Sequence, residues 1–206
     1  MSATAYGGYF TLQPSSALRT IIKTVSTLCL SLIALIGGGP ILLIVALGFG
    51  ALGDAFLSLR DEKGFLPGLG SFLIGHLCFV VLFMEMGQGF DLFFQDPWRI
   101  VAALFMIGFT LYMVQKLLPK LGALTIPVLL YMVVIFCMGI ATLSLPLAWP
   151  TSLVMSGALF FIASDSILAH ELFLIPKGSP ILRITAPVLW FFYWGGQALI
   201  AAGVLL

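Results

Sequence analysis

Apolar residues fill this chain in long, nearly unbroken runs, and polar positions fall at regular gaps between them. The hydrocarbon core of a bilayer is about 30 Å thick, which a helix crosses in about 20 residues. Runs of that length predict seven spans: Ile21–Gly38, Pro40–Leu59, Leu66–Met86, Trp98–Leu118, Leu121–Met138, Pro150–Phe173 and Ile181–Val204. Proline and glycine punctuate the joints at Gly37-Gly38-Gly39-Pro40, Pro67-Gly68, Pro119, Pro146 with Pro150, and Pro176 through Pro180. The pattern predicts an all-α, polytopic transmembrane helical bundle, because a helix satisfies its own backbone polar groups where no water can. Residues 1–20 read as a polar cytoplasmic N-terminal segment, and 21–206 as a single transmembrane helical domain.

Composition agrees. Of 206 residues, 61% are hydrophobic and 8% charged, where soluble domains carry about 25% charged residues. The mean hydropathy is +1.18. A net charge of +1 offers nucleic acid nothing to bind. Cys29, Cys78 and Cys137 stand singly in apolar segments, with no disulfide or zinc-finger spacing. The first twenty residues lack the charged start, apolar middle and cleavage site of a secretory signal.

Placing alternate joints on the same side gathers Arg19, Lys23, Arg60, Lys63, Lys116, Lys120, Lys177 and Arg183 together, and leaves Arg99 alone opposite. The positive-inside rule makes the first side cytoplasmic. The expectation is a multi-pass protein of a bacterial inner membrane or its equivalent. Its N-terminus and the opening of its site face the cytoplasm, and its C-terminus lies outside.

Against that background two aspartates are conspicuous. Asp54 lies in the run Pro40–Leu59 and Asp165 in Pro150–Leu168. A carboxylate at such a depth costs roughly 3 kcal/mol or more unless it has a partner or a wet cavity. Each stands six residues before a charged cytoplasmic position (Arg60 and Glu171), hence about 9 Å deep at 1.5 Å per residue. The same arithmetic puts His76 at about 14 Å, Tyr131 at about 16 Å, Tyr193 at about 15 Å and Gln197 at about 21 Å. Residues from five spans thus reach one band of depth. Gly50, Asp54 and Ser58 share a helix face, as do Tyr193, Gly196 and Gln197. Each residue also has a plain structural role open to it. An aspartate, His76 or Gln197 can tie helices together. Ser164 can bond back to the Phe160 carbonyl. Tyr131 and Tyr193 can pack with a satisfied hydroxyl.

Taken in order, Gly53-Asp54, Phe72-x-x-Gly75-His76, Pro127-x-x-x-Tyr131, Phe161-x-x-Ser164-Asp165-x-x-Leu168-Ala169 and Tyr193-x-x-x-Gln197-x-Leu199-Ile200 resemble the YhhN family of lysoplasmalogenases, across residues 23 to 206. That family usually shows eight spans, with a Lys-Pro step opening the second. Here Lys23-Thr24 stands at that step and the first helix looks missing. The resemblance implies hydrolysis of the vinyl-ether bond of lysoplasmalogens (1-alkenyl-glycerophosphoethanolamine or -choline) to a fatty aldehyde and a glycerophospho-base. It implies a lysophospholipid substrate in the lipid bilayer, and no cofactor or metal.

The residues suit that chemistry. Vinyl ethers resist bases but break when a proton reaches the outer alkene carbon, giving an oxocarbenium ion that water captures. The reaction needs a carboxylic acid that keeps its proton near neutral pH, and a carboxylate to steady the cation and activate water, as in glycoside hydrolysis. Asp54 and Asp165 at equal depth fit these two roles, in either assignment. His76 can orient a carboxylate or relay the proton. Ser164, Tyr131, Tyr193 and Gln197 are the candidate substrate-binding residues, and Arg60 and Lys63 could hold the phosphate. The rival readings are a proton-coupled membrane transporter, a metal-dependent membrane lipid hydrolase using Asp54, His76, Asp165 and His170, and a structural membrane protein. No internal repeat favours the first, and two histidines make a thin metal site.

Overall fold

The computed structural model describes residues 2–13, 16–58 and 62–206. Among these, the regular elements are helices throughout. A short α1 (Ser2–Gly8) leads into α2 (Ala17–Ile36), α3 (Ile41–Leu57) and α4 (Glu62–Met86). A single turn, α5 (Leu92–Gln95), precedes α6 (Trp98–Leu121), α7 (Thr125–Thr142), α8 (Trp149–Phe173) and α9 (Leu182–Leu205).

Five stretches of the described residues are long and apolar enough to cross a bilayer. One of them, the 45-residue Trp98–Thr142, holds both α6 and α7. Gly122 ends α6 with a φ of +51°, a left-handed turn that suits a residue without Cβ. The chain then doubles back, so that Met106 faces Gly139, and Met113 and Leu117 cluster with Val128. Counting those two helices separately and adding the 17-residue α3 gives the seven predicted spans.

Two of the predicted joints are not joints. α4 runs through Pro67 and α6 through Pro119. Pro119 lies in the last turn of its helix, and the Pro67 carbonyl accepts a hydrogen bond from Ser71 Oγ at 2.8 Å. Because the chain turns at Gly122 rather than Pro119, α7 starts and ends four residues later than predicted. The N-terminal segment also differs from a merely polar tail. Tyr6 is buried, its ring 4.3 Å from that of Trp190, and Trp190 Nε1 donates to the Ala3 carbonyl at 2.9 Å. Ala3 and Tyr6, three residues apart, give α1 a buried face that docks on α2 and α9.

The helices pack in a circuit: α2 on α3, α3 on α4, α4 on α7, α7 on α8, α8 on α9, and α9 back on α2. Helix α6 lies outside it, against α7 and α8. The tightest seam joins α8 to α9. A Cβ at Gly157 would lie 2.6 Å from the Gly196 carbonyl oxygen and 2.8 Å from the Ile200 nitrogen. Small residues let helix backbones touch in lipid, where no hydrophobic force drives helices together.

Candidate functional site

The predicted site residues fall into two neighbouring clusters. In the first, Asp54 of α3 is completely buried and meets a cation that the sequence reading had counted only toward topology. Lys23 Nζ, from α2, stands 2.8 Å from Asp54 Oδ1. The other oxygen, Oδ2, accepts from Thr27 Oγ1 at 2.8 Å and from the Tyr193 hydroxyl at 2.9 Å. The carboxylate is therefore neutralised and held from three sides, by α2 twice and by α9. Gly50, one turn before Asp54, makes room for Gln197: a Cβ at Gly50 would come within 3.0 Å of the Gln197 amide oxygen. The Gln197 amide is buried, and neither of its polar atoms has a hydrogen-bond partner among the described residues.

In the second cluster Asp165 of α8 meets Tyr131 and His76 among the described residues. Its Oδ2 accepts from the Tyr131 hydroxyl of α7 at 2.9 Å. His76 of α4 brings Nε2 to 3.4 Å from the same oxygen without making a hydrogen bond. The other ring nitrogen, Nδ1, lies 2.7 Å from the Phe72 carbonyl oxygen, which can only accept, so Nδ1 carries a hydrogen. Nε2 and the Asp165 carboxyl are thus left as a pair between which a proton can be held. Catalytic contacts of this kind are commonly long before substrate arrives.

Asp165 and Tyr131 also line a cavity of about 280 Å³ walled by α4, α6, α7 and α8. The wall is almost wholly apolar, with Phe72, Phe109, Met113 and Ile162 among its residues. Asp54, Lys23, Tyr193 and Gln197 do not line it. Two aromatic rings separate the clusters. Phe161 lies edge-on to His76 at 4.6 Å on one side and to Tyr193 at 5.5 Å on the other. Phe72 packs on Tyr193 at 5.8 Å between ring centres. No hydrogen bond or ion pair joins the two carboxyls, so the face-to-face pair expected from equal depth is replaced by two separate environments. Equal depth fixes height in the bilayer but not which way a helix face turns.

Ser164, named as a substrate-binding candidate, is buried with its hydroxyl donating to the Phe161 carbonyl at 2.7 Å. This is the back-bonding role, one residue along from the carbonyl expected. His170 Nδ1 turns to the Ser166 carbonyl at 2.7 Å, and Glu171 accepts from Thr185 of α9. Among the described residues no three His, Cys, Asp or Glu side chains gather as a metal site would require. Arg60 and the Lys63 side chain lie outside the described residues. Arg99, the lone basic residue opposite, is buried and holds the Leu143 and Leu145 carbonyls at 2.6 and 2.8 Å, with Asp96 at 3.0 Å.

The sequence reading missed Lys23 and Thr27 as site residues. Their signal was a four-residue step on α2, Lys23-x-x-x-Thr27-x-x-x-Ser31, which places three polar groups on one face of the helix.

Together these features define a polytopic helical membrane protein whose Asp165 carboxyl faces an apolar cavity. Comparison with known proteins gives the family. The model of the YhhN family matches residues 18–204, and the chain belongs to that family. A lysoplasmalogenase of Mycobacterium bovis is 31% identical over 166 residues, 78% of this chain and 59% of that protein. The human lysoplasmalogenase TMEM86A is 34% identical over 187 residues, covering 82% and 74% of the two chains. Its bovine counterpart is 30% identical over 212 residues, covering 94% and 82%. The chain therefore spans about three-fifths of the mycobacterial relative's length. No solved structure matches it.

Proposed function

We propose that this protein hydrolyses the vinyl-ether bond of lysoplasmalogens, with the alkenyl chain in the α4–α6–α7–α8 cavity and Asp165 as the acid. The observation that carries the reading is the placement of Asp165: a carboxyl partnered, among the described residues, by Tyr131 and His76, on the wall of an apolar cavity of about 280 Å³. Relatives that bear the name lysoplasmalogenase support the substrate class.

The step balances with the groups present. Asp165 gives its proton to the outer alkene carbon, and the positive charge moves to the inner carbon and the ether oxygen. The carboxylate so formed steadies the cation and takes a proton from the water that adds to the inner carbon. The hemiacetal then collapses, its hydroxyl proton leaving as the glycerol oxygen is protonated, to aldehyde and glycerophospho-base. The proton taken from water returns Asp165 to its acid form, so the cycle closes, while His76 Nε2 beside Oδ2 and the Tyr131 hydroxyl keep that oxygen in place. Asp54 is a positioning residue here. Held by Lys23, it fixes Tyr193, and Tyr193 supports the Phe161 and Phe72 rings that back His76. The scissile bond lies next to the glycerol, and Asp165 is eight residues from the end of α8, about 12 Å. That depth suits a headgroup at the membrane surface. The positive-inside pattern makes that surface cytoplasmic, with the N-terminus on the same side.

The test is aldehyde release from purified protein given 1-alkenyl lysophosphatidylethanolamine or -choline in detergent, with the 1-alkyl analogue as control. Turnover of the alkenyl lipid alone, unchanged by chelator, is the expected result. Loss with chelator points to the metal-dependent reading. No turnover, with substrate-driven proton flux in liposomes, points to the transporter.

A further inference from the structure

Beyond the acid site the cavity has a floor. A second space of about 140 Å³ lies farther along the bundle, lined by Ala102, Gly139, Thr142, Met155 and others. Phe105, Met106, Leu159 and Ile162 border both spaces. The partition is a methionine seated in a glycine notch: the terminal methyl of Met106 occupies the position that a Cβ on Gly139 would take, and its sulfur lies 3.3 Å from that point. On α8, Asp165, Ile162, Leu159 and Met155 follow steps of three, three and four, so they form one stripe. The first three line the acid cavity, and the last three the space beyond. Along that stripe Leu159 is about 9 Å and Met155 about 15 Å from the carboxyl's position. A hydrocarbon chain with its head at Asp165 and its body along the stripe meets Met106 partway.

We propose that Met106, seated against Gly139, is a chain-length stop that decides how much of the substrate's alkenyl chain the protein buries. The inference rests on the reading that this cavity holds the alkenyl chain. Methionine suits a soft stop, since an unbranched thioether with three rotatable bonds can swing aside (as a branched side chain could not). Each methylene buried strengthens binding by about fourfold, and each one refused forfeits that factor.

The experiment measures kcat/KM for 1-alkenyl lysolipids that differ stepwise by two carbons, with wild type, Met106→Ala and Gly139→Ala. In wild type the value climbs with length and then levels at a break. Met106→Ala joins the two spaces and carries the climb to longer chains, raising the ratio of long- to short-chain kcat/KM about fourfold per extra methylene accepted. Gly139→Ala takes the methyl's seat and drives Met106 toward the acid cavity, moving the break to shorter chains. Damage to the fold lowers all lengths together and leaves the ratio where it was. If Met106→Ala yields no folded protein, the shift in Gly139→Ala decides alone. A break at one length in wild type and in every folded variant overturns the stop while leaving the hydrolysis reading intact. Wild type that hydrolyses no alkenyl lipid of any length overturns both.

Discussion

Asp54 and Asp165 belong to the same bundle, yet one meets a cation and the other a cavity. Asp54 is enclosed by Lys23, Thr27 and Tyr193 and is fully buried. Asp165 has Tyr131 and a loosely placed His76, and faces about 280 Å³ of apolar room. The difference teaches that a carboxyl inside a membrane can be made tolerable in two ways: by an ion pair, which suits the positioning role proposed for Asp54, or by hydrogen-bonding and titratable partners beside an open cavity, which suits the acid role proposed for Asp165.

The strongest challenge to this contrast is Asp165→Asn. Turnover should fall roughly 10²–10⁴-fold, the usual worth of a positioned acid, while the thermal midpoint in detergent stays near wild type. A variant that still releases aldehyde at full rate would erase the distinction. On the other side, Asp54→Asn leaves the partly buried Lys23 unpaired, which costs up to about 3 kcal/mol, read as a drop in thermal midpoint. The double variant Lys23→Met with Asp54→Asn removes that stranded charge and should regain most of the stability and a measurable rate. A double variant that is stable but inert would show Asp54 taking part in the chemistry. The smallest effect belongs to Tyr131→Phe. Losing one neutral hydrogen bond to Asp165, worth about 1 kcal/mol, should lower kcat about fivefold and leave KM near wild type. An unaltered kcat would mean that the hydroxyl does not set the carboxyl's position.

Much of this was legible in the chain itself. The apolar runs gave seven helices, because each must satisfy its backbone across about 30 Å of lipid. The polar residues out of place within them picked out Asp54, His76, Tyr131, Asp165 and Tyr193. Facing was harder to read. One-dimensional spacing says which residues share a face but not which face looks at which neighbour, so the two aspartates were expected together and stand apart. Lys23 was hidden by an ambiguity of the same kind. A lysine near a helix start serves topology as well as it serves a buried partner, and only the turn of α2 toward α3 decides. For Ser164 the spacing left two roles open, and its hydroxyl takes the local one, because a serine in a helix has a carbonyl within reach.

The seam between α8 and α9 has a consequence for how such a protein can vary. At Gly157 and Gly196 the two backbones lie against each other with no side chain between them. Phe161 and Asp165 ride on one of those helices, and Tyr193 on the other. A single methyl group gained at either glycine would pry the two acid environments apart without altering one reactive atom. The crossing thus sets the spacing of the two helices by what it leaves out, a pair of absent side chains.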